Sequence, residues 1–265
     1  MSYSPLVSVI TIVYNGENHI EQTINSVLNQ SYKNIEYIII DGGSKDNTVS
    51  IIKKYQARIA YWVSESDAGI SDAFNKGLAK AAGEIVGIIN ADDWYEINTI
   101  SLVVTAIESY DVAYGYVQYW TDFKKSFKQK SDVAYLEQQV SVIHPTVFVK
   151  KTCYDRFGVF NKNYKCAMDY ELLLRLKVNH CKFVYIPSVL ANMRWEGLSD
   201  QRWMLGCRET LKIKNHYFTE RKFGNYVYFY KNVVAISVIK FFEKIHLGFL
   251  IRFYRQKFSR LKTYN

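Results

Sequence analysis

Acidic and small polar residues gather at four points of this sequence, each next to an apolar run. Asn90-Ala91-Asp92-Asp93 follows Ile85 to Ile89. Two adjacent acids at the end of a buried strand can hold a hard divalent cation, which takes one or two carboxylates together with waters and substrate phosphates. The plainer reading is a helix N-cap with a second acid favoured by the helix dipole. Asp41-Gly42-Gly43-Ser44 follows a second run. Its carboxylate could accept from a base or ribose donor, and the paired glycines let backbone approach a ligand; a tight capped turn is the alternative. In Asp67 to Gly77, Asp72, Asn75 and Lys76 lie along a helix start, where free N–H groups favour anions, though Lys76 alone reads as a solvated side chain. Asp169 opens a later helix and is either a simple cap or a general base aimed at the same edge. Glu171 and Arg175 are spaced as a helical ion pair. His144, before Pro145, is read as a structural histidine or an acceptor contact. Arg194-Trp195-Glu196-Gly197 is a plain loop or a lid with Arg194 on a phosphate.

These residues need a scaffold that brings strand ends together, and the N-terminal half supplies one. Leu6–Tyr14, Ile35–Ile40, Ile59–Val63 and Ile85–Ile89 are apolar, β-branched runs, as in strands buried on both faces. Helical patterns separate them: Ile20, Ile24, Val27 and Leu28; residues 46–55; residues 70–82, with Gly83 placed as an αL cap; and residues 96–109. This βαβαβαβα order predicts a mostly parallel sheet with right-handed crossovers and helices on both faces. Ligands of such sheets bind beyond the carboxyl ends of the strands, where the first three clusters and Tyr14-Asn15-Gly16-Glu17 fall. From residue 111 the pattern is mixed. Strands are expected at 112–119 and 146–149, extended chain at 183–194, and helices at 169–177, 199–214 and from 233 to 261.

Composition agrees with a folded body. The chain has 265 residues, 49% hydrophobic and 22% charged, with 3 Pro and 13 Gly, which excludes disordered, collagenous and low-complexity chains. Cys153, Cys166, Cys181 and Cys207 form neither CxxC nor a zinc spacing; with no signal peptide they read as reduced thiols of a cytosolic protein. No window offers the uninterrupted apolar stretch of about 18 residues that a spanning helix needs. Charge is unevenly spread. Residues 212–265 hold 12 Lys/Arg and 2 Asp/Glu, net +10, against net −1 for the rest.

Six segments occur in order: VSVITIVYNGE, SVLNQSY, IEYIIIDGGSKDNT, DAGISDAFNKGLAKAAGE, IINADDW and AMDYELLLRL. Together they resemble the family-2 glycosyltransferases over residues 5–200, closest to bacterial members that build O-antigens, capsules and other surface glycans. The resemblance implies a GT-A, Rossmann-like α/β fold and an inverting transferase using a UDP-sugar and Mn²⁺ or Mg²⁺. It implies that Tyr14 and Asp41 meet uracil, with Asn15 and Glu17 beside them. Asp67 and Asn75 would face base, ribose and phosphates. Asn90-Ala91-Asp92 matches the family's DxD motif with Asn in the first place. Asp92 and Asp93 would be the ribose and metal contacts, in either order, and Asp169 the catalytic base. Many members carry Arg where this chain has Phe74, which shifts the diphosphate toward the metal and Lys76 or Arg194. Gln201-Arg202-Trp203 lacks the spacing of the processive enzymes' Gln-x-x-Arg-Trp.

The expected organisation is a catalytic domain over 1–215, with a nucleotide-sugar half to about 110 and an acceptor half from 111, then a basic amphipathic helical tail over 216–265. In the tail, apolar positions 234, 238, 241, 245, 249 and 253 oppose Lys240, Lys244, Arg252, Arg255 and Lys262, the pattern of an interfacial anchor. The expectation is a cytoplasmic protein, peripheral on the inner membrane face, acting on a lipid-linked glycan. A helix packed on the body competes with this, and nucleic-acid binding rests on the tail alone. A nucleotidyltransferase fits less well, because Tyr14 to Glu17 is neither glycine-rich nor basic. A non-catalytic binder is kept open by Asn90 and Phe74.

Overall fold

The structure, a computed structural model, describes residues 3–121, 124–194, 202–245 and 263–264. Four strand–helix units open the chain: β1 (Val7–Val13), α1 (Ile20–Leu28), β2 (Ile35–Asp41), α2 (Thr48–Tyr55), β3 (Tyr61–Ser64), α3 (Ile70–Lys80), β4 (Ile85–Asn90), then a short β5 (Trp94–Tyr95) and α4 (Thr99–Ile107). The first four strands lie parallel in the order β3-β2-β1-β4, with Ile10 opposite both Ile38 and Ile88.

The sheet then changes direction. β6 (Val112–Thr121), β7 (Lys124–Lys130), β8 (Phe148–Lys150), α5 (Lys151–Phe157), α6 (Met168–Val178) and β9 (Phe183–Arg194) follow. β8 runs antiparallel to β4 and β6, β7 antiparallel to β6, and β9 parallel to β6 and antiparallel to β5. Two helices, α7 (Trp203–Tyr217) and α8 (Lys222–Lys244), come next, and β10 (Thr263–Tyr264) adds to the edge at β7.

Alternation along the strands feeds two cores. Val7 and Val9, Tyr37 and Ile39, and Ile85 and Ile89 face α1, α2 and α4. Ile10, Ile38 and Ile40, and Val86 and Ile88 face α3, α5 and α6. Strands covered on both sides read as nearly continuous apolar runs, hence stretches such as YIII at 37–40. α1 buries Ile20, Ile24 and Val27 on one stripe; each contributes about 1.5–3 kcal/mol relative to exposure.

Several boundaries differ from expectation. β3 starts at Tyr61, because Gln56–Arg58 extends α2 as a 3₁₀ turn. A second 3₁₀ turn, His144–Thr146, displaces β8 to Phe148. Gly83 is not an αL cap: α3 ends at Lys80 with Ala81 as its C-cap, and Gly83 does not adopt a positive φ. A Cβ on Gly83 would lie 2.5 Å from the Ser8 backbone nitrogen, so close packing against β1 is what requires glycine. α8 starts at Lys222, well before residue 233.

Candidate active site

The loop after β1 and the loop after β2 are knitted together. The N–H of Asn15 donates to Ser44 Oγ at 2.7 Å, that of Gly16 to Thr48 Oγ1 at 2.8 Å and that of Glu17 to Asp46 Oδ2 at 3.0 Å. In return Asn15 Oδ1 accepts from Lys45 N at 2.9 Å, and Glu17 Oε2 accepts from Asn47 N at 2.9 Å. Asn15 adopts φ 51°, which asparagine tolerates better than most residues. Asn15 and Glu17 therefore shape the loops. Asp41, fully buried, likewise accepts from the N–H groups of Gly43 and Ser44, from Ser64 Oγ at 2.5 Å and from Ser44 Oγ. Four donors fix this carboxylate at the base of the loop. Tyr14 is left 64% exposed at the rim. A Cβ on Gly42 would lie 2.6 Å from Asp67 Oδ2 and 3.5 Å from the Tyr14 ring. The missing side chain thus leaves an aromatic ring and a carboxylate on either side of bare backbone, an arrangement that can stack a planar base and accept from its edge.

The segment after β3 is held to the loop that leads into α6. Asp67 Oδ1 accepts from Gly69 N at 2.8 Å. Asp72 pairs with Lys162 at 2.5 Å and accepts from Ala68 N at 3.1 Å; the Lys162 hydrogen bond lowers its pKa. Asn75 makes two bonds to the Phe160 backbone, both 2.9 Å. Ser71 Oγ donates to Tyr164 O at 3.0 Å. Lys76 is taken up by Glu65 at 2.7 Å and by Ser66 O at 2.9 Å. Phe74, buried, stacks on His144 with centroids 5.2 Å apart and on Phe160 at 4.8 Å, so it belongs to the core. These contacts bring the N-terminus of α6, with half-buried Asp169, to α3. Asp169 Oδ1 accepts from Tyr170 N at 2.7 Å. His144 lies within electrostatic reach of Asp169, and its burial lowers its pKa despite that charge.

The acid turn sits at the end of β4. Thr23 Oγ1 donates to Ala91 O at 2.8 Å and to Asp93 O at 2.6 Å, fastening the turn to α1. Asp93 is 1% exposed and its Oδ2 has no hydrogen-bond partner. Burial, then the like charge of Asp92, holds this carboxyl well above the usual carboxylate range. An orphaned buried carboxylate oxygen beside a second acid fits a hard cation, which takes oxygen donors and keeps waters. Among the described residues no cluster of three or more His, Cys, Asp or Glu is arranged as a metal cage, so phosphates and water would have to complete the coordination. Arg194 reaches the same turn: it donates to Asp92 O and to Gln22 Oε1, the latter at 2.6 Å, and lies 4.7 Å over the Trp94 ring.

Tyr14, Asp67, Asn90, Asp92, Asp93 and Arg194 thus stand at the strand ends or on the loops that follow them. Asn15, Glu17, Asp41, Asp72, Asn75 and Lys76 spend their polar atoms on neighbouring loops. Trp195 lies outside the described residues. Two further residues carried no sequence signal. His19 neighbours Asp92 and Arg194; burial, then the Arg194 charge, lowers its pKa. Glu209 of α7, buried, accepts from the N–H groups of Lys165, Cys166 and Ala167 at 2.9, 2.8 and 2.9 Å, bracing the turn that leads into the helix bearing Asp169.

Comparison with known proteins gives a consistent result. An uncharacterized glycosyltransferase of Rickettsia typhi is 32% identical over 203 residues, 71% of this chain and 61% of that protein. The match therefore spans about three fifths of that relative's length. Among solved structures, Staphylococcus aureus TarS in complex with UDP-GlcNAc has a TM-score of 0.61 at 18% identity, over 78% of this chain and 66% of that one. A mannosyltransferase from Pyrobaculum calidifontis, in complex with GDP-Man and Mn²⁺, has a TM-score of 0.62 at 20% identity, over 80% of this chain and 64% of that one. These likenesses are of fold, and the fold is GT-A. The family model described as Glycosyl transferase family 2 matches residues 8–171, from β1 into α6, so the chain belongs to glycosyl transferase family 2.

Proposed function

We propose that this protein moves a hexose or N-acetylhexosamine from a UDP-sugar to a lipid-linked glycan, as on undecaprenyl diphosphate, in surface-polysaccharide synthesis at the cytoplasmic membrane face. One observation carries the reading: the Asp92–Asp93 turn, with its orphaned Asp93 Oδ2, lies at the end of the parallel strand β4, and Tyr14, Gly42 and Asp67 come together on the loops after β1, β2 and β3. Tyr14 stacks the base and Asp67 accepts from its edge. Asn90 and Asp92 take the ribose side. The other loop residues hold these in place: Asn15, Glu17 and Asp41 below the base, Asp72, Asn75 and Lys76 along α3. A divalent cation, Mn²⁺ or Mg²⁺, held by Asp92 and Asp93 supplies positive charge against the departing diphosphate. Lys76 is paired with Glu65, and Arg194, held at the acid turn by Asp92 O and Gln22 Oε1, is our candidate to face that diphosphate.

The reaction is a single displacement at the anomeric carbon. An acceptor hydroxyl is a weak nucleophile, and Asp169 takes its proton as it attacks. The Tyr170 N–H holds one oxygen of that carboxylate, and Glu209 braces the turn ahead of its helix. Attack from the face opposite the diphosphate inverts the configuration, so an α-linked donor gives a β-linked product. The mutant Asp169→Asn tests the assignment. UDP-sugar affinity measured by titration calorimetry stays within about two-fold, while transfer falls about 10²- to 10⁴-fold. Unchanged transfer would remove Asp169 from the mechanism.

A further inference from the structure

We propose that the outward face of α8 docks this protein on an anionic lipid surface. Large apolar side chains run along that face from Phe223 through Tyr230, Val234 and Val238 to Phe241 and Ile245; Phe223 is 85% exposed, Val234 62% and Phe241 60%. At about 3.6 residues per turn their Cα positions form one stripe about a quarter of the helix circumference wide. The opposite face is taken. Asn225 is buried there, donating to Asn215 Oδ1 at 3.0 Å, and the Lys214 ammonium lies 3.9 Å from the centre of the Tyr228 ring. The stripe is therefore not the face that α7 covers. Soluble monomers rarely expose a continuous apolar patch of this kind.

Charge decides the occupant. On the helical projection Lys222 and Lys244 border one edge of the stripe and Lys231 the other, and the helix sequence contains a single acid, Glu243. Anionic headgroups meet lysines on both edges while the stripe enters the boundary between headgroups and acyl chains. Lysine stems lie along such a boundary with their ammonium groups at the phosphates. A second copy of the chain stacked on the same stripe would set lysine against lysine. No helix among the described residues is long and apolar enough to cross a membrane, so α8 lies along the surface. The stripe starts earlier than the expected tail anchor, directly after the turn from α7. Since Glu209 of α7 braces the turn ahead of α6, docking would hold Asp169 at a set height above a lipid-borne acceptor. That consequence rests on the proposed transfer; the docking does not.

Cosedimentation of the full chain with phosphatidylcholine vesicles, with and without phosphatidylglycerol, tests the proposal, circular dichroism confirming that each variant is folded. Wild type pellets with the anionic vesicles and stays in solution with the neutral ones. The triple variant Val234→Ser, Val238→Ser, Phe241→Ser lowers the partition coefficient about ten-fold or more, and Lys231→Glu with Lys244→Glu weakens binding in a salt-dependent way. Equal pelleting of wild type and the triple variant, no pelleting of wild type, or a wild-type dimer that the triple variant converts to monomer would each overturn it. UDP-sugar binding, measured on the same proteins without vesicles, separates this result from the transfer reading: either can fail alone.

Discussion

At Asp93, packing and chemistry pull in opposite directions. A carboxylate oxygen that is buried and unpartnered costs stability, and the help this carboxyl receives from Arg194 and Asn90 is outweighed by burial and the charge of Asp92. A group kept under that penalty is expected where it serves a ligand. Asp93→Asn should leave the melting temperature of the metal-free protein unchanged or higher, while Mn²⁺-dependent UDP-sugar affinity falls at least about ten-fold; a large drop in melting temperature would make Asp93 a structural residue instead. His144 gives a second test. Burial between Phe74 and Phe160 lowers its pKa, so the folded state binds its proton less readily than the unfolded chain. Its contribution is complete above the ordinary histidine value of about 6.5 and is lost as the pH falls below that toward the lowered folded value. Thermal melts between about pH 7.5 and 5.5 should show stability falling on acidification, with a shallower fall in His144→Gln. An identical slope in the two proteins would mean that His144 is not the group responsible.

At the scale of elements, the helix that bears Asp169 depends on a neighbour distant in sequence. Glu209 joins α7 to the three N–H groups ahead of α6. Glu209→Ala leaves those donors unmatched and should cost about 2 kcal/mol or more in urea unfolding; a loss under about 0.5 kcal/mol would show that water replaces the carboxylate freely. The parallel strands were legible because burial on both faces forces unbroken Val and Ile runs. β7 was not: four of its seven residues are lysine, which suits a strand near the sheet edge but hides its extended conformation. β5 is two residues long and α5 only seven, too short for its Cys153, Tyr154 and Phe157 to repeat as a period. The start of α8 was missed because YVYFY favours strands by propensity, and the helix was recognised only where Val234 and Val238 establish its period. Site residues at strand ends were legible as types, yet not their partners. Nothing local indicates that Asn75 meets the Phe160 backbone or that Lys76 meets Glu65.

Taken whole, the molecule divides its labour by sheet direction. The parallel half gathers loops that can hold a nucleotide and a cation. The mixed half, through α6, brings Asp169 beside them. The basic C-terminal segment adds α7, which braces the turn ahead of α6, and α8, which presents an apolar stripe edged by lysines. The net charge of +10 over residues 212–265 sets this segment apart from the near-neutral body, as the proposed docking on an anionic surface requires. The central claim is that the sheet edge binds a nucleotide sugar with a divalent cation. Titration calorimetry of the full chain with UDP-sugars and GDP-sugars, each with and without Mn²⁺, tests it most directly. The account predicts binding of a UDP-sugar that weakens at least about ten-fold when Mn²⁺ is withdrawn, since phosphates and two carboxylates share the ion. Folded protein that binds none of these donors, with or without the metal, would contradict it.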